Sequence, residues 1–342
     1  MPGHLSRLLG KPISRREKDR GPGAGHAAPE HFSAATAEKS HGACEWDARR
    51  IEAPGLARVA ARVVATLILN AASAQAAERA PRLLSLAPGL TEIAFAAGAG
   101  SRLVGTVEFS DYPEAAKQVP RVGDAWRVDL ERVLALRPDV VLAWPTGTPA
   151  TTIARLRELG LRVVEVPTRR LADVPVALRQ LGRIAGTEVQ ADAAAREFEA
   201  RVARQRARYA RRTPVSVFIE IDDEPVYTVN GRHVISEIVE LCGGRNVFAD
   251  LPQLAPPIAI EAVLAADPQV IVSTDDTIAD PAALWRQWPR LRAVQAGTVY
   301  SLSSDLVTRA SPRLAQGVEV TCQALEHARE AYRGARPAPR PD

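Results

Sequence analysis

The chain has 342 residues, of which 46% are apolar and 25% charged, a composition typical of a globular protein of about two domains. Its formal net charge is +4, but residues 1–76 hold 11 of the 44 basic residues and 7 of the 40 acidic ones, so the remainder carries equal numbers of each. An uncharged remainder lacks the basic surface that nucleic-acid binding requires, and we expect no nucleic-acid partner.

Residues 56–76, LARVAARVVATLILNAASAQA, have the pattern of a secretory signal peptide. Arg58 and Arg62 precede a short apolar run, and Ala74-Gln75-Ala76 supplies the small residues of a cleavage site. A buried N-terminal helix is the alternative interpretation. We predict a periplasmic protein whose mature chain starts near Ala77. Residues 1–55 have no sustained hydrophobic period, and we interpret them as a disordered or mis-called extension.

The first folded segment, residues 81–185, alternates short strands with helices. The pattern predicts strands at residues 82–86, 103–107 and 162–166, a turn at 87–89, and helices at 91–97 and 153–159. This alternation favours a lobe built on a parallel sheet that helices cover.

The alternation stops at residues 189–212, which contain no Gly or Pro and are rich in helix-forming residues. A helix of this length would extend about 36 Å, at about 1.5 Å per residue. We predict that residues 186–212 form one rigid helix linking two lobes; an ordinary surface helix is the alternative.

The second lobe is predicted over residues 213–333, with a tail at 334–342. Strands are expected at residues 215–221 and 299–302, and helices at 234–241, 284–292 and 314–328. Cys242 and Cys322 both lie in this half, where an exported protein can oxidise them. They either form a disulfide that holds the last helix to its lobe or remain two free thiols.

One fifteen-residue pattern occurs in both halves. Residues 128–142 read VDLERVLALRPDVVL and residues 258–272 read IAIEAVLAADPQVIV. In each copy a glutamate, Glu131 or Glu261, opens a short amphipathic helix, a proline ends it, and a branched apolar run predicts a buried strand. The repeat therefore predicts two similar α/β lobes with a ligand cleft between them.

The folded part has no recognisable catalytic constellation. It contains two histidines and no glycine-rich phosphate loop, which favours binding over catalysis. Tyr112, Trp126 and Trp144 follow predicted strands of the first lobe, where aromatic side chains would suit a large flat ligand or fill the core. Asp305 and Arg309 in the second lobe could bind polar edges of a ligand or pair with each other.

Several segments resemble the periplasmic cobalamin-binding proteins of ABC importers. They are LLSLAPGLTEIAFAAGAG, SDYPEAAKQVPRVGDAW, LERVLALRPDVVLAW, LCGGRNVF and SSDLVTRASPRL, within residues 81–328. That family belongs to the helical-backbone class (class III) of substrate-binding proteins, with siderophore and haem binders. The resemblance implies an α/β fold of two Rossmann-like lobes with parallel-type sheets joined by a single long backbone helix. It implies a corrinoid as ligand, no catalytic cofactor, no resident metal, and no enzymatic activity.

The resemblance also implies roles for individual residues. The implied ligand cleft is lined by Pro88, Gly89, Tyr112, Trp126, Trp144, Tyr227, Asp305 and Arg309. Glu131 and Glu261 are expected to dock on the two subunits of an inner-membrane permease, and Cys242 and Cys322 to form a disulfide. A tryptophan found in the family just before the second repeat is absent here, where the chain reads Leu254-Ala255-Pro256-Pro257. We expect a monomer.

The repeat gives a physical reason for the docking role, since equivalent glutamates on similar lobes match the twofold axis of a permease dimer. A favourable interaction with the helix dipole would by itself explain a glutamate at each of the two positions.

Two other functions remain open. One is a siderophore or haem binder of the same fold, and the other is a two-lobed α/β enzyme.

Overall fold

The computed structural model describes residues 80–124, 126–274, 276 and 280–334. The predicted extension, the signal peptide and all but the first residue of the predicted tail lie outside these ranges. Within the described residues, no helix has both the length and the hydropathy to cross a membrane.

The first lobe is a four-stranded parallel sheet with the strand order β2-β1-β3-β4. Its strands are β1 (Leu83–Ser85), β2 (Leu103–Gly105), β3 (Val140–Ala143) and β4 (Val163–Glu165). Its helices are α1 (Pro88–Ala96), α2 (Leu130–Ala135), α3 (Ala150–Glu158) and α4 (Asp173–Ala185). Every residue of β1 and β3 is buried, because helices cover both faces of the sheet.

Two helices of this lobe differ from the sequence expectation. Helix α1 begins at Pro88 and not at Thr91, since a proline is well tolerated in the first turn, where its missing N–H has no helical partner anyway. Helix α4 was not predicted. It buries Val174, Leu178 and Leu181, which recur at helical spacing and are the signal that could have located it.

Helix α5 (Glu188–Tyr209) is the predicted long helix, with 22 residues. It packs along α4 on one side and along the last helix, α10 (Leu314–Gly334), on the other. Arg201 of α5 makes a two-pronged ion pair with Glu319 of α10, at 3.0 Å for each nitrogen–oxygen distance. One continuous helix therefore contacts elements of both lobes, as in the helical-backbone class of substrate-binding proteins.

The second lobe is a five-stranded sheet with β6, β5, β8 and β9 in order and β7 beside the start of β5. Its strands are β5 (Val215–Asp223), β6 (Val226–Thr228), β7 (Gly244–Asn246), β8 (Val270–Ser273) and β9 (Val299–Ser301). Its helices are α6 (Val234–Leu241), α7 (Ile260–Ala266), α8 (Arg292–Gln295), α9 (Ser304–Val307) and α10. Strand β6 pairs antiparallel with β5, and the other pairings are parallel.

The helix predicted at residues 284–292 is wrong. Trp285–Gln287 form one 3-10 turn, and α8 starts only at Arg292. Trp285 is fully buried between Phe218 and Trp288, and its Nε1 donates to Glu220 Oε1 at 3.2 Å. The segment forms only a short turn of backbone hydrogen bonds, and the packing of its indole rings holds it against the lobe.

The two repeat copies fold alike. Each forms a short helix, α2 or α7, followed by a proline and a buried strand, and Val133 and Val263 are fully buried at equivalent positions. The residue before each proline has a positive φ, 45° at Arg137 and 39° at Asp267. Because a residue before proline is disfavoured in the helical region, both copies end the helix by the same left-handed step.

Cys242, at the end of α6, forms a disulfide with Cys322 of α10. The two Cα atoms are 4.8 Å apart and 80 positions separate the residues in the sequence. Both cysteines are fully buried. The predicted pairing is confirmed, and it ties the last helix to the core of the second lobe.

Candidate ligand-binding cleft

A cleft lies between the two lobes, next to the loops that follow the strands. It encloses about 1070 Å³ of space open to solvent. The first lobe contributes Ala87, Pro88, Gly89, Leu90, Trp144 and Thr168 to its wall. The second contributes Ile221, His233, Leu254, Ala255, Thr274, Ser304, Thr308, Arg309 and Ala310. Ligands of open parallel sheets bind at this end of the strands, so the position is the one the topology favours.

The cleft extends toward the first lobe's loop after β3. An adjoining space is lined by Trp144, Thr168, His233 and Thr308 together with Thr146, Arg169 and Arg232. Because four of these residues also line the main space, the two parts form one continuous cleft.

The N-terminus of α1 is positioned by buried hydroxyl groups. Thr91 Oγ1 lies 2.6 Å from Thr106 Oγ1, which donates to Ser110 Oγ at 2.8 Å, and Ser85 Oγ donates to the Ala87 carbonyl at 2.9 Å. All these hydroxyl side chains are buried. The network joins β1, α1 and the loop after β2, and so fixes the backbone at Pro88 that faces the cleft.

The two lobes approach each other closely at Gly89, beside the cleft. A Cβ atom on Gly89 would lie 3.3 Å from the carbonyl oxygen of Ala310. That distance is tighter than an ordinary contact, so a side chain here would push the second lobe's backbone away.

Trp144 forms a wall of the cleft with a fixed ring. Its indole Nε1 donates to the Thr168 carbonyl at 3.3 Å, and its backbone N–H donates to Thr148 Oγ1 at 3.2 Å. Gly147 leaves room for the ring, since a Cβ there would lie 2.1 Å from Trp144 Cε3. The exposed face of the indole is therefore presented to the cleft before any ligand arrives.

His233 caps α6 and lines both parts of the cleft. Its Nδ1 accepts a hydrogen bond from the Ile235 N–H at 3.3 Å. Burial lowers the pKa of His233 to about 4, so the imidazole is neutral at pH 7. The sequence alone does not single out this residue, because a lone histidine forms no motif.

Charged groups of both lobes meet beside the cleft. Arg313 makes two short hydrogen bonds with Glu92 of α1, and Arg309 pairs with Asp305 at 2.9 Å. Arg309 Nη1 also lies 3.6 Å from Asp111 and 3.7 Å from Glu92. Arg309 thus lines the cleft while it pairs with carboxylates from both lobes. The pairing of Asp305 with Arg309 is one of the two alternatives that the sequence left open for these residues.

Four of the eight residues that the resemblance implies line the cleft, namely Pro88, Gly89, Trp144 and Arg309. Tyr112 and Trp126 are 49% and 52% exposed and lie outside its wall. The Arg313 guanidinium covers the Tyr112 ring at 4.4 Å, and Tyr227 packs on the hydrophobic core in β6. Ligand contacts by Tyr112, Trp126, Tyr227 and Asp305 stay predictions.

The cleft wall is mainly apolar and offers few polar groups. Among the described residues, no group of three or more His, Cys, Asp or Glu side chains is placed to hold a metal ion. The polar contributors to the main space are the threonine hydroxyls, Ser304, His233 and Arg309, and the adjoining space adds Arg169 and Arg232. Such a wall suits a large ligand bound by shape, with hydrogen bonds at its edges.

Glu131 and Glu261 lie in the first turns of α2 and α7, and both are exposed. Neither carboxylate makes an ion pair with another residue in the described part of the chain. The two carboxylates therefore lie exposed at equivalent positions of the two lobes, where a partner protein can contact them.

Comparison with known proteins identifies the family to which this architecture belongs. Residues 83–306 match the family described as periplasmic binding protein. The chain belongs to the periplasmic binding protein family. Within it, the chain is 37% identical over 252 residues to a vitamin B12-binding protein of Vibrio cholerae serotype O1, covering 73% of this chain and 91% of the relative. It is 36% identical over 267 residues to that of Yersinia pseudotuberculosis, covering 78% and 92%.

Solved structures of other periplasmic binding proteins share the fold. The crystal structure of the periplasmic vitamin B12-binding protein BtuF of Vibrio cholerae superposes with a TM-score of 0.69 at 37% identity, covering 73% of this chain and 98% of that one. The haem-binding protein BhuT, in complex with two haems, superposes with a TM-score of 0.67 at 26% identity, covering 72% and 98%. The apo haem-binding protein RhuT from Roseiflexus sp. RS-1 is 24% identical with a TM-score of 0.66, which indicates the fold alone.

Proposed function

We propose that this protein captures cobalamin or a related corrinoid between its two lobes in the periplasm and delivers it to the permease of an ABC importer. The observation that carries the proposal is the continuous cleft between the lobes, with the fixed indole of Trp144 as one wall and polar side chains of both lobes around it.

The shape and chemistry of a corrinoid suit this wall. A corrin is a broad ring with amide side chains at its edge, so it offers an apolar face to an indole and carbonyl oxygens to hydrogen-bond donors. Gly89 and Leu90, in the first turn of α1, also line the cleft, and the backbone N–H groups of a first turn have no partner within the helix. The vitamin B12-binding relatives, similar over 91% and 92% of their lengths, support the same ligand.

Haem is the second candidate ligand, and one observation favours it. His233 lines the cleft, and histidine is a common axial ligand of haem iron. BhuT, which is 26% identical to this chain, binds haem according to its structure's description. Cobalamin is favoured over haem because the relatives named for vitamin B12 are more similar to this chain, at 37% and 36% identity against 26% for BhuT.

Titration of the purified protein tests the proposal. Cyanocobalamin and hemin are each added in a calorimeter, and the absorbance of the complex identifies what is bound after gel filtration. We expect saturable one-to-one binding of cyanocobalamin with a corrinoid spectrum. Tight binding of hemin with no binding of cyanocobalamin would replace corrinoid by haem as the proposed ligand.

The export and delivery steps have their own tests. N-terminal sequencing of protein from the periplasm of the native host should find a start near Ala77, and a mature chain that retains residues 1–55 would contradict the signal-peptide interpretation. Ligand-stimulated ATPase activity of the cognate importer in liposomes should require this protein. Docking by Glu131 and Glu261 is part of the proposal.

A further inference from the structure

The side chain of His233 has one nitrogen committed to the fold. Nδ1 accepts the Ile235 N–H at 3.3 Å and so satisfies a free donor of the first turn of α6. A neutral imidazole carries one proton on one of its two nitrogens, and the nitrogen that accepts a hydrogen bond is the one without it. The hydrogen-bond geometry therefore assigns the proton to Nε2.

The backbone on either side of His233 is held as firmly as its ring. The His233 N–H donates to the Asn230 carbonyl at 3.2 Å, and the His233 carbonyl accepts from Ser236 at 3.0 Å. Asn230 is fixed in turn by its side-chain donation to the Leu251 carbonyl at 2.9 Å. The direction of the imidazole is thus set by the turn before α6, independently of any ligand.

Nε2 makes no hydrogen bond within the described residues, nor is it among their buried polar atoms that lack one. The ring lines the cleft opposite Trp144 and Thr168 of the first lobe. Nε2 is therefore accessible from the cleft, where an acceptor supplied by the ligand can replace water as its hydrogen-bond partner.

We propose that His233 donates a hydrogen bond from Nε2 to a neutral carbonyl oxygen at the edge of the ligand, an amide of the corrin periphery, and does not coordinate the ligand's metal. The inference rests on the proposed corrinoid function. Coordination through Nε2 would require its lone pair, so the proton would move to Nδ1 and the cap of α6 would be lost. Coordination through Nδ1 would displace the Ile235 N–H in the same way.

Three substitutions separate donation from coordination while keeping a residue that caps helices. His233→Asn keeps an acceptor for the cap and a side-chain N–H, His233→Asp keeps the acceptor without any N–H, and His233→Ser keeps a short hydroxyl. His327→Ser is the matched control, because His327 is exposed on α10. Circular dichroism and thermal melting check that each variant folds.

Two measurements are made with each variant. The first is the dissociation constant for cyanocobalamin. The second is the absorbance of bound aquocobalamin, in which cobalt carries an exchangeable water. We expect His233→Ser and His233→Asp to weaken binding about fivefold to tenfold, the usual effect of one neutral hydrogen bond, with a smaller loss in His233→Asn and none in His327→Ser. The bands of aquocobalamin should not change when it binds to the unsubstituted protein.

The results that would contradict the role of His233 differ from those that would contradict the proposed function. A shift of the aquocobalamin bands to those of imidazole-bound cobalt, lost in His233→Ser, would show that Nε2 displaces the water and would overturn the inference alone. Equal affinities in all variants would also overturn it. Failure of the unsubstituted protein to bind either cobalamin would overturn the proposed function together with this inference.

Discussion

Arg313, immediately before α10, and Glu92 of α1 form a two-pronged ion pair across the lobes. Arg313 Nε donates to Glu92 Oε2 at 2.9 Å and Nη2 donates to Oε1 at 2.6 Å. Glu92 is 3% exposed, and the same guanidinium covers the ring of Tyr112. The residues are 221 positions apart in the sequence, so this pair fixes one lobe against the other beside the cleft.

Removing one partner should be costly because the other charge remains buried. We expect Glu92→Ala to lower the free energy of unfolding by about 3–5 kcal/mol, as for other broken buried pairs. Glu158→Ala is the matched control; it breaks an exposed pair with Arg155, worth about 0–1 kcal/mol. Urea denaturation measures both. Equal effects of the two substitutions would show that the inter-lobe pair contributes no more than a surface pair.

The disulfide should stabilise the second lobe. Cys242 and Cys322 are 80 positions apart, and closing a loop of that size is worth roughly 4 kcal/mol from chain entropy. We expect Cys242→Ser/Cys322→Ser to lose about 2–5 kcal/mol by urea denaturation. Thiol labelling of the unfolded, unreduced mature protein should find no free thiol in the unsubstituted chain. Two labelled thiols would contradict the bond in the exported protein.

The two predicted ligand tryptophans occupy different surroundings. Trp144 is fixed in the wall of the cleft, whereas Trp126 is 52% exposed outside it. We expect Trp144→Ala to reduce cobalamin affinity by about 1–3 kcal/mol, because a broad apolar contact is lost. Trp126→Ala should have a smaller effect, because its ring lies outside the wall of the cleft. Calorimetry measures both, and an unchanged affinity in Trp144→Ala would place the ligand elsewhere.

His233 should make stability depend on pH in a mildly acidic window. The ordinary pKa of histidine in an unfolded chain is about 6.5, and burial lowers that of His233 to about 4. Above pH 6.5 the residue is neutral in both states and has no effect. As pH falls from about 6.5 toward 4, the unfolded state binds the proton first and stability is lost, by at most about 3 kcal/mol.

A comparison of unfolding free energies at pH 7.0 and pH 4.5 tests this dependence. His233→Asn keeps a residue that caps α6 but cannot titrate, so it should lose less stability on acidification than the unsubstituted protein. His327→Ser should behave as the unsubstituted protein does, since His327 is exposed. Parallel losses in His233→Asn and the unsubstituted protein would assign the acid sensitivity to carboxylates.

Local signals in the sequence predicted much of the fold. The repeat units were predictable because a helix start, a proline and a branched apolar run each act within a few residues, and α6 has the expected bounds because Gly243 and Gly244 follow it. Strands β6 and β7 were not predictable, since each has three residues and is defined by pairing with β5. Tertiary pairing, and not local propensity, creates such strands.

The cleft was predictable in position but only partly in its residues. The topology places a site at the ends of the strands, and Trp144 follows β3 directly. Whether a loop residue faces the cleft depends on contacts made by the other lobe, as Arg313 over Tyr112 shows. His233 could not be found from its neighbours in the sequence, because its role comes from the cap of α6 and from the opposite lobe.

The equivalent glutamates give the last prediction. Glu131 and Glu261 are exposed in the first turns of α2 and α7, without an ion-pair partner in the described part of the chain. The remaining explanation for each alone is the helix dipole, which contributes typically about 0.3–1 kcal/mol. Two equivalent acidic sites also match a permease dimer, whose twofold axis presents one basic surface twice.

We expect Glu131→Ala/Glu261→Ala to leave cobalamin affinity nearly unaltered, because neither residue lines the cleft. The double variant should lower ligand-stimulated ATPase activity of the cognate importer in liposomes more than either single change does. The difference in ATPase activity between the unsubstituted protein and the double variant should become smaller at high salt, because salt screens the charge pairs that the unsubstituted protein makes with the permease. Glu158→Ala, an exposed acidic residue of α3, is the control for loss of charge. If the double variant stimulates ATPase activity fully, the glutamates serve their helices alone, and the docking role must be withdrawn.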